Sequence, residues 1–528
     1  MGTASVTVAA FALFAAAAAG TATGPAPSSD RDDVIVGTAA PDRVAAGGGD
    51  DRVVAWGDGR RDTISCGSGS DLVNAERVDR VSSDCETVVR QLSRDRTDAP
   101  AAQHETQVEP DSEAAGRTVV AVFQTGRYRA GGAAAIGFAT SADGGGTWRE
   151  GLLPASPRYA RQSDPVVAYD ASHRVWLAAS LGVEPDVRSG ILVSRAPDGV
   201  RWESPLEAIA VEDPDAGLDK QWLTCDNGAR SPFRGRCYLA YTDLRLGAIA
   251  VQASDDGGLT WSEPATGPSS ARGAVGAYPV VRPNGDLVVL YTDVDSGIVV
   301  LHTADGAASL RRVHRFGPLR GHRLEGLRAP LLAAAGVDAG GRVMAVWAQC
   351  GHRTACDAND VVLAESPDGF SWSAPRPLPT AATGSAFVPT VAVEPGSGRL
   401  AVLYYAATGC PSCRVDTWLV ESADGRSWAP PLRLSARSGR RAWMARTSLG
   451  AMLADYVSVT WVGARPLAVF ALAEAPLADG RLRQAIFASS RLDSLRTPFG
   501  ATLCRRGGAL SECDARAQGA PICDISGD

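Results

Sequence analysis

The chain has 528 residues, a formal net charge of −7 and a composition rich in turn formers, with 57 glycines and 32 prolines. This length exceeds one compact core of ordinary size, so several domains or one large repeat architecture are expected, with many turns rather than long helices. The mixed, slightly acidic charge excludes a basic surface that holds nucleic acid. Lys220 is the only lysine, and Asp219 directly before it excludes a Gly-Lys phosphate loop.

Residues 1–24, MGTASVTVAAFALFAAAAAGTATG, are interpreted as a signal peptide. An apolar run from Val6 to Ala19 is followed by small residues that suit cleavage, although no Lys or Arg precedes the run. The run is too short to span a bilayer, and no later segment is long and apolar enough to do so. The sequence therefore predicts a secreted, extracellular protein without a membrane span.

Most of the cysteines fall into close sequence pairs, which in an oxidising compartment predict local disulfides that close loops. The pairs are Cys66 with Cys85, Cys225 with Cys237, Cys350 with Cys356, and Cys410 with Cys413. For the last pair, in the stretch CPSC, a disulfide is favoured over a redox site because no strand-helix-strand pattern surrounds it. Cys504, Cys513 and Cys523 remain in a predicted C-terminal tail, 493–528, and leave one thiol without a partner.

Residues 33–89 form a separate Gly- and Asp-rich region with the stretches AGGGDDRVV, GDGRRDTI and CGSGSDLVN. These stretches resemble the nonapeptide repeats of RTX (hemolysin-type) calcium-binding proteins, in which aspartates bind calcium and aliphatic residues fill a parallel β-roll. The resemblance implies Asp51 and Asp71 as calcium ligands, with Asp42 and Asp62 in more degenerate repeats. The alternative is a small β-roll or β-rich cap whose aspartates only form turns. Residues 90–106 are polar and are interpreted as a linker.

One short pattern recurs through the rest of the chain. The copies are SADGGGTW (141–148), APDGVRW (196–202), SDDGGLTW (254–261), TADGAAS (303–309), SPDGFSW (366–372) and SADGRSW (422–428). Their last positions are 48 to 63 residues apart, which is the period of a four-stranded unit with loops. Each copy follows an alternating or apolar strand, and another strand pair precedes that strand. The predicted fold is therefore all-β, a β-propeller of four-stranded blades, seven in number with six as the alternative.

The pattern S-x-D-x-G-x-T-W is the Asp box, or BNR repeat, and residues 107–492 resemble the Asp-box propellers of the sialidase (neuraminidase) superfamily. In that family these turns lie on the rim away from the active-site mouth. The carboxylate accepts backbone N–H bonds and the Trp packs between sheets, so the residues are interpreted as structural. They are Asp143, Trp148, Asp198, Trp202, Asp256, Trp261, Asp368, Trp372, Asp424 and Trp428.

The resemblance implies a site with three arginines that bind a sugar carboxylate, a Tyr–Glu nucleophile pair and an Asp acid/base. The sequence lacks the family's F/Y-R-I-P motif and has no Asp from 123 to 142, where the acid/base is expected. The candidates that remain are Arg127, Arg129, Arg323, Glu325 and Tyr456. The alternative interpretation of these arginines is a solvated loop surface.

A second candidate region is the loop closed by Cys225 and Cys237, which carries Arg230, Arg234 and Arg236. Such a loop suits a glycan or anion site, or equally a braced surface loop.

Three functions follow as hypotheses. The first is a secreted propeller that binds a glycan or another cell-surface ligand, with calcium in its N-terminal repeats. The second is an exo-α-sialidase-type glycoside hydrolase with a divergent active site. The third is a non-catalytic structural extracellular module, since the propeller fold alone does not specify activity.

Overall fold

The computed structural model describes residues 30–213, 217–380 and 384–491, together with the backbone of 502–506 and 509–513. The predicted signal peptide and most of the predicted C-terminal tail, with the pairing of its cysteines, lie outside the described residues. The described chain is built from β-strands and one 3₁₀ turn, Arg441–Trp443. Within these ranges no helix is long and apolar enough to cross a membrane.

Seven short strands make up the N-terminal region. They are β1 (Val34–Val36), β2 (Arg43–Gly48), β3 (Arg52–Ala55), β4 (Thr63–Ser68), β5 (Leu72–Ala75), β6 (Arg80–Val81) and β7 (Thr87–Gln91). Strands β1, β3, β5 and β7 pair in parallel in one sheet, and β2, β4 and β6 pair in parallel in another. Alternate aliphatic residues, among them Val44, Val53, Ile64 and Val73, pack together in one core. The region is therefore a short parallel coil with its apolar side chains inside.

Aspartates connect successive turns of this coil. The Oδ1 atoms of Asp51, Asp71 and Asp62 accept N–H bonds of 2.8 Å from Asp33, Asp51 and Asp42 respectively. The Oδ2 atoms of Asp51 and Asp71 are buried without a hydrogen-bond partner. No three His, Cys, Asp or Glu side chains of the described residues come together as a metal ion requires. These contacts fit turn formation, and calcium binding stays a prediction.

Six antiparallel units of four strands follow the coil, and the sixth is extended by a short fifth strand. The first consists of β8 (Gln103–Ala115), β9 (Thr118–Arg127), β10 (Ala133–Ser141) and β11 (Arg149–Leu152), and the second of β12 (Arg161–Asp170), β13 (Val175–Glu184), β14 (Arg188–Ala196) and β15 (Leu206–Val211). The third consists of β16 (Leu218–Cys225), β17 (Cys237–Asp243), β18 (Ala248–Ser254) and β19 (Ala265–Thr266), and the fourth of β20 (Ala274–Val281), β21 (Leu287–Asp293), β22 (Gly297–Thr303) and β23 (Arg311–Arg315). The fifth consists of β24 (Ala334–Val337), β25 (Val343–Gln349), β26 (Asp360–Ser366) and β27 (Arg376–Pro377), and the sixth of β28 (Ser385–Val393), β29 (Leu400–Thr408), β30 (Arg414–Ser422) and β31 (Leu432–Arg433).

A seventh sheet closes the ring. Three short strands, β32 (Gly439–Arg440), β33 (Ala445–Thr447) and β34 (Gly450–Met452), precede it, and its own strands are β35 (Ser458–Val462), β36 (Arg465–Glu474) and β37 (Arg483–Arg491). Its outer neighbour is β7 of the N-terminal coil, which pairs antiparallel with β37. The coil and the last blade therefore share one continuous sheet. Two further strands, β38 (Thr502–Arg506) and β39 (Ala509–Cys513), form a hairpin beyond it.

The segment predicted as a linker, 90–106, contains the end of β7 and the start of β8. Leu92 is fully buried and its N–H donates to the carbonyl of Ile486 over 2.7 Å, while the Ser93 hydroxyl accepts the N–H of Ile486 over 2.8 Å. The polar residues of the segment that are exposed lie in its middle. Its start is hydrogen-bonded to the last blade, and Thr106 at its end pairs with Gln484 of that blade.

A channel runs along the axis of the ring. Its walls take residues from the first strand of every one of the seven sheets: Glu113, Val167, Thr224, Val280, Val337, Val393 and Thr460. A four-stranded unit repeated radially around a channel is a β-propeller. The predicted all-β propeller class is thus confirmed by the strand pairing itself.

Each Asp-box turn joins the third and fourth strands of a blade. In the first, Asp143 Oδ1 accepts the N–H groups of Gly146 and Thr147, each over 2.9 Å, and Oδ2 accepts the Thr147 hydroxyl over 2.7 Å. Burial opposes ionisation, but these bonds lower the pKa of Asp143 to about 2. Trp148 is buried beside this turn. The aspartates of the other copies accept the same backbone bonds: Asp198, Asp256, Asp305, Asp368 and Asp424.

The four predicted cysteine pairs are all disulfide-bonded in the structure. Cys66–Cys85 lies in the core of the N-terminal coil, while the other three close loops of the third, fifth and sixth sheets. Each disulfide spans at most 19 residues, so all four act within one element of the fold and none ties blade to blade.

We expect Asp256→Ala to lower the free energy of unfolding by about 1–3 kcal/mol, because it leaves the N–H groups of Leu259 and Thr260 without their acceptor. The matched control is Asp255→Ala, which removes only an exposed ion pair with Arg236 and is expected to cost less than about 1 kcal/mol. Urea unfolding of both variants measures the difference, and equal losses would contradict this role of the box.

The coil should lose stability as the pH rises. Burial and the neighbouring carboxylates Asp62 and Glu76 raise the pKa of Asp79 from 3.8 to about 7. The pKa of Asp79 is higher in the folded coil than in the unfolded chain, so protonated Asp79 stabilises the fold. This stabilisation is fully present below about pH 4 and is lost between about pH 4 and 7. We expect a higher melting temperature at pH 5 than at pH 8, and a smaller difference in Asp79→Asn. An identical pH dependence in both proteins would refute the assignment.

Candidate axial site

The pairing between first and second strands is interrupted at the same point in five of the sheets. One residue at each interruption has a positive φ: Glu109 (55°), Asp164 (49°), Lys220 (46°), Gly276 (72°) and Val388 (51°). This backbone region suits glycine and is disfavoured for other residues, above all for a β-branched residue such as Val388. Strained residues of this kind collect at binding and catalytic sites, which makes the axis a candidate functional site.

The interrupted positions recur at intervals of 55 or 56 residues from Glu109 to Val388. The corresponding residue of the fifth sheet is Leu332. For the seventh sheet we take Asp455, because Ser458, three residues after Asp455, shares a hydrogen bond of 2.9 Å with Ser112, which is three residues after Glu109. The position is charged in sheets one, two, three and seven and apolar or glycine in the others. One side of the axis is therefore polar and the other side is not.

These charged residues and two neighbours form what we call the axial cluster. Its members are Glu109, Asp164, Lys220, Arg328, Asp455 and Tyr456. The interruptions lie near the starts of the first strands, whereas the Asp-box turns follow the ends of the third strands, which run in the same direction. The axial cluster and the Asp boxes are consequently at opposite ends of the propeller.

Lys220 lies at the centre of the cluster. Its Nζ is 3.6 Å from the ring centre of Tyr456 and 4.3 Å from that of Trp222, and the residue is 7% exposed. Burial lowers the pKa of Lys220, while the surrounding carboxylates, led by Asp164 and Glu109, oppose that shift. Two aromatic faces and several carboxylates thus surround the only lysine of the chain.

The carboxyl groups of the cluster differ in environment. Burial, followed by the charges of Asp164 and Asp455, raises the pKa of Glu109 well above its usual range, which favours its protonated form. Asp455 is instead paired with Arg328, whose Nε donates to both carboxylate oxygens over 2.8 and 3.0 Å. Burial works against the charge of Arg328, but this pairing raises its pKa overall. The cluster therefore holds one acid that retains its proton and one carboxylate held by a cation.

Several buried polar atoms beside the cluster have no hydrogen-bond partner. Two are donors, Arg127 Nε and Lys220 Nζ, and two are acceptors, Gln124 Oε1 and Gln221 Oε1. The other amide atoms are used: Gln124 Nε2 donates to Glu109 and Gln221 Nε2 to the carbonyl of Asp164. Buried polar groups are nearly always satisfied, so these unpaired atoms make the surroundings of the cluster a candidate place for a bound ligand or water.

A small cavity lies beside Lys220, whereas Arg127, Gln124 and Gln221 are not among its lining residues. Its lining combines polar and aromatic residues of one side with aliphatic residues of the other: Lys220, Trp222, Tyr278, Asp455 and Tyr456 against Leu332 and Val388. The rings of Trp222 and Tyr278 are 4.4 Å apart, and those of Trp222 and Tyr456 are 5.2 Å apart. In this closed form the cavity has a volume of about 20 Å³, which is room for about one water molecule, so a larger ligand requires the site to open.

Two of the five residues singled out in the sequence lie at this site. Tyr456 belongs to the cluster, and Arg127 is buried where its charge lowers the pKa of Glu109. The other three, Arg129, Arg323 and Glu325, are exposed. For the two arginines this exposure agrees with the alternative interpretation as a solvated loop surface. Sequence reasoning missed Glu109, Asp164, Lys220 and Asp455; the 55- or 56-residue recurrence is a signal for the first three, whereas Asp455 lies 67 residues after Val388.

The role of nucleophile fits Tyr456 poorly. Its hydroxyl donates to the carbonyl of Pro165 over 2.9 Å. Burial and then the charges of Glu109, Asp164 and other carboxylates raise its pKa well above the usual value, so the nucleophilic phenolate is disfavoured.

The arginine-bearing loop between Cys225 and Cys237 lies at the Asp-box end of the propeller. Arg230 and Arg234 are exposed, and Arg236 forms two bonds of 2.7 Å with Asp255. Arg236 also donates to the carbonyl of Gly306 in the next blade over 3.0 Å. The loop is braced in this way and does not contribute to the axial cluster.

No family model and no curated protein matches this chain. Among solved structures it is similar to a Dyadobacter fermentans protein of unknown function, with 18% identity over 63% of this chain and 98% of the other and a TM-score of 0.40. An α-L-arabinofuranosidase of Fusarium graminearum has 13% identity, 78% and 99% coverage and a TM-score of 0.42. A Trypanosoma rangeli sialidase has 12% identity, 61% and 55% coverage and a TM-score of 0.42. At this distance no argument about function rests on these similarities.

We expect Lys220→Met to lower the free energy of unfolding by about 3 kcal/mol at pH 8, because it leaves buried carboxylates without their central cation. Burial raises the pKa of Asp111 to about 6 and that of Asp219 to about 7 against the charge of Lys220, so the loss should shrink at pH 5, where these two carboxyl groups take up protons. Lys220→Arg, which retains the charge, is the control for the backbone strain at this position. Urea unfolding at both pH values measures the effect, and a loss independent of pH would contradict the electrostatic role.

Proposed function

We propose that this protein is a carbohydrate-directed propeller whose ligand binds at the axial cluster. The observation that carries the proposal is the set of unpaired donors and acceptors, Arg127 Nε and Lys220 Nζ beside Gln124 Oε1 and Gln221 Oε1. A hydroxyl group donates and accepts at once, so several hydroxyls on one ring satisfy such a mixed set better than an anion or a cation does.

The cavity supports the same class of ligand. Trp222, Tyr278 and Tyr456 contribute aromatic surface, while Asp455 and Lys220 contribute polar atoms to the same wall. A sugar ring has an apolar C–H face and a polar edge, and this wall matches both.

The charges favour a neutral sugar over sialic acid. Arg328 is committed to Asp455, and Glu109 and Asp164 lie beside Lys220. A ligand carboxylate would meet carboxyl groups rather than three converging free arginines. The sialidase alternative is therefore weaker than a neutral-sugar site in the same propeller.

A glycoside hydrolase acting on a neutral sugar is the second candidate. Its support is the contrast between Glu109, whose raised pKa suits a proton donor, and the ion-paired carboxylate of Asp455. Hydrolysis needs two carboxyl groups in such different protonation states, whereas binding alone does not.

The test is a glycan array followed by calorimetry with any sugar that binds, and by a panel of fluorogenic glycosides. We expect Gln221→Leu to weaken binding of a neutral sugar by about tenfold, since one well-formed hydrogen bond contributes roughly 1.4 kcal/mol. Asp368→Asn, in an Asp box at the other end of the propeller, is the control and should bind normally. No binding to any neutral sugar, or equal binding by both variants, would overturn the proposal.

Turnover distinguishes the two candidates. A glycosidase should lose at least about 100-fold in kcat with Glu109→Gln while the sugar still binds. Binding without turnover by the unaltered protein leaves the binding function alone.

We also propose secretion, which is supported by the predicted signal peptide and the four disulfides. Calcium binding in the coil is a separate proposal that rests on the RTX resemblance. A calorimetric titration of the protein with calcium, compared with Asp51→Asn, tests it, and no uptake would exclude it.

A further inference from the structure

Two long connections lie at the axial end of the propeller. The first insertion, 316–333, joins the fourth and fifth sheets, and the second insertion, 434–457, joins the sixth and seventh. Other connections between consecutive sheets are shorter, for example 153–160 and 267–273. Each insertion ends at the start of a first strand, which is where the axial cluster lies.

The two insertions pair with each other. Leu327 and Ala451 form an isolated parallel β-bridge. The N–H of Ala451 donates to the carbonyl of Gly326 over 3.0 Å, and the N–H of Arg328 donates to the carbonyl of Ala451 over 2.8 Å. Gly450 makes this approach possible, because it has a φ of 123° and a Cβ there would lie 3.1 Å from backbone atoms of the first insertion.

The Arg328 side chain continues from this pairing into the axial cluster. It reaches Asp455, which lies next to Tyr456 in the chain and lines the same cavity as Lys220. One ion pair and two backbone hydrogen bonds therefore hold the first insertion against the second directly beside the candidate ligand site.

The second insertion is also attached to the first sheet. Gln103 and Arg446 exchange two hydrogen bonds of 2.8 Å between the Gln103 side chain and the Arg446 backbone, and Ser448 N–H donates to the carbonyl of Arg129 over 3.2 Å. The hairpin tip between these contacts carries Leu449, which is 69% exposed. The two insertions thus extend together from the fourth sheet to the first across the axial end.

The cluster beneath them is closed. Glu109, Asp164, Lys220, Asp455 and Tyr456 are each at most 8% exposed, yet their surroundings contain the unpaired donors and acceptors described above. A ligand that reaches those atoms from the axial end has to pass between the insertions, which also share apolar contacts in one buried core through Leu324 and Leu327 of the first and Met444 and Leu453 of the second.

We propose that the two insertions form a cover over the axial cluster, which opens to admit ligand and is latched by the Arg328–Asp455 ion pair. The inference concerns access and does not depend on which ligand binds. With the pair intact the cover is closed most of the time, and without it the open form becomes more populated.

The only lysine of the chain reports the opening. An amine-acylating reagent, the N-hydroxysuccinimide ester of acetic acid, modifies Lys220 only while the cover is open, and mass spectrometry compares that rate with the rate at the N-terminal amine. We expect slow acylation in the unaltered protein and an acceleration of about tenfold or more in Arg328→Gln. Loss of Arg328 also leaves Asp455 unpaired near Lys220, which favours the unreactive ammonium. An acceleration therefore reports access and not reactivity.

The matched control is Arg323→Gln, an exposed arginine of the same insertion, which should acylate as the unaltered protein does. Equal rates in Arg328→Gln and Arg323→Gln, or rapid acylation of the unaltered protein, would overturn the proposal.

Hydrogen exchange of the unaltered protein provides a test that survives if Arg328→Gln fails to fold. The amides of Arg328 and Ala451 join the insertions and should exchange at least about tenfold faster than those of the buried strands β21 and β29. Exchange of these two amides as slow as that of the strands would mean that the cover opens only on global unfolding, and would refute the proposal.

Discussion

The interruption in the ladder between the first and second strands is the constraint on which the axial end depends. It forces one residue per blade out of the extended conformation, and it recurs at the same point in five sheets. Pro110, Pro165 and Pro389 follow three of these residues, where a missing N–H costs least because the ladder is already broken. The backbone thus provides equivalent positions around the axis, and the residue type at each is free to differ. Charges in some blades and aliphatic residues in others convert a symmetric frame into an asymmetric site.

The opposite end of the propeller obeys a different rule. There each turn satisfies its own backbone N–H groups with its own aspartate, as in Asp143 and Asp256. The contrast separates structural carboxylates, whose pKa falls because they accept backbone bonds, from axial carboxyl groups such as Glu109, whose pKa rises because burial dominates. A carboxylate in a repeated motif is therefore weak evidence for chemistry, and an isolated carboxyl in a crowded core is stronger evidence.

Burial of so many charges is tolerated because cations are placed among them. Lys220 lies between carboxyl groups and two aromatic rings, and Arg328 arrives from an insertion to pair with Asp455. A buried pair of this kind adds little stability in itself, but removing one partner is costly. The insertion that supplies Arg328 also closes the site, so the same contact links the electrostatics of the cluster to access. At the other edge of the molecule, β7 completes the last blade, which ties the N-terminal coil to the ring.

The sequence by itself determined what depends on local patterns. The Asp boxes repeat in residue type because each turn needs Asp, Gly and Ser or Thr for its own bonds, and they revealed the blades. The close cysteine pairs revealed the disulfides for the same reason. The axial site repeats only in spacing, since Glu109, Asp164 and Lys220 share a backbone position and not a chemistry, and Asp455 lies outside the 55- or 56-residue recurrence. Tyr456 was singled out as a late tyrosine, but its partners lie hundreds of residues away along the chain. Only closure of the seven-sheet ring brings those first strands to one axis, and only the pairing of two insertions brings Arg328 to Asp455. Long-range contacts of this kind leave no local residue pattern, so the tertiary structure alone decided the site.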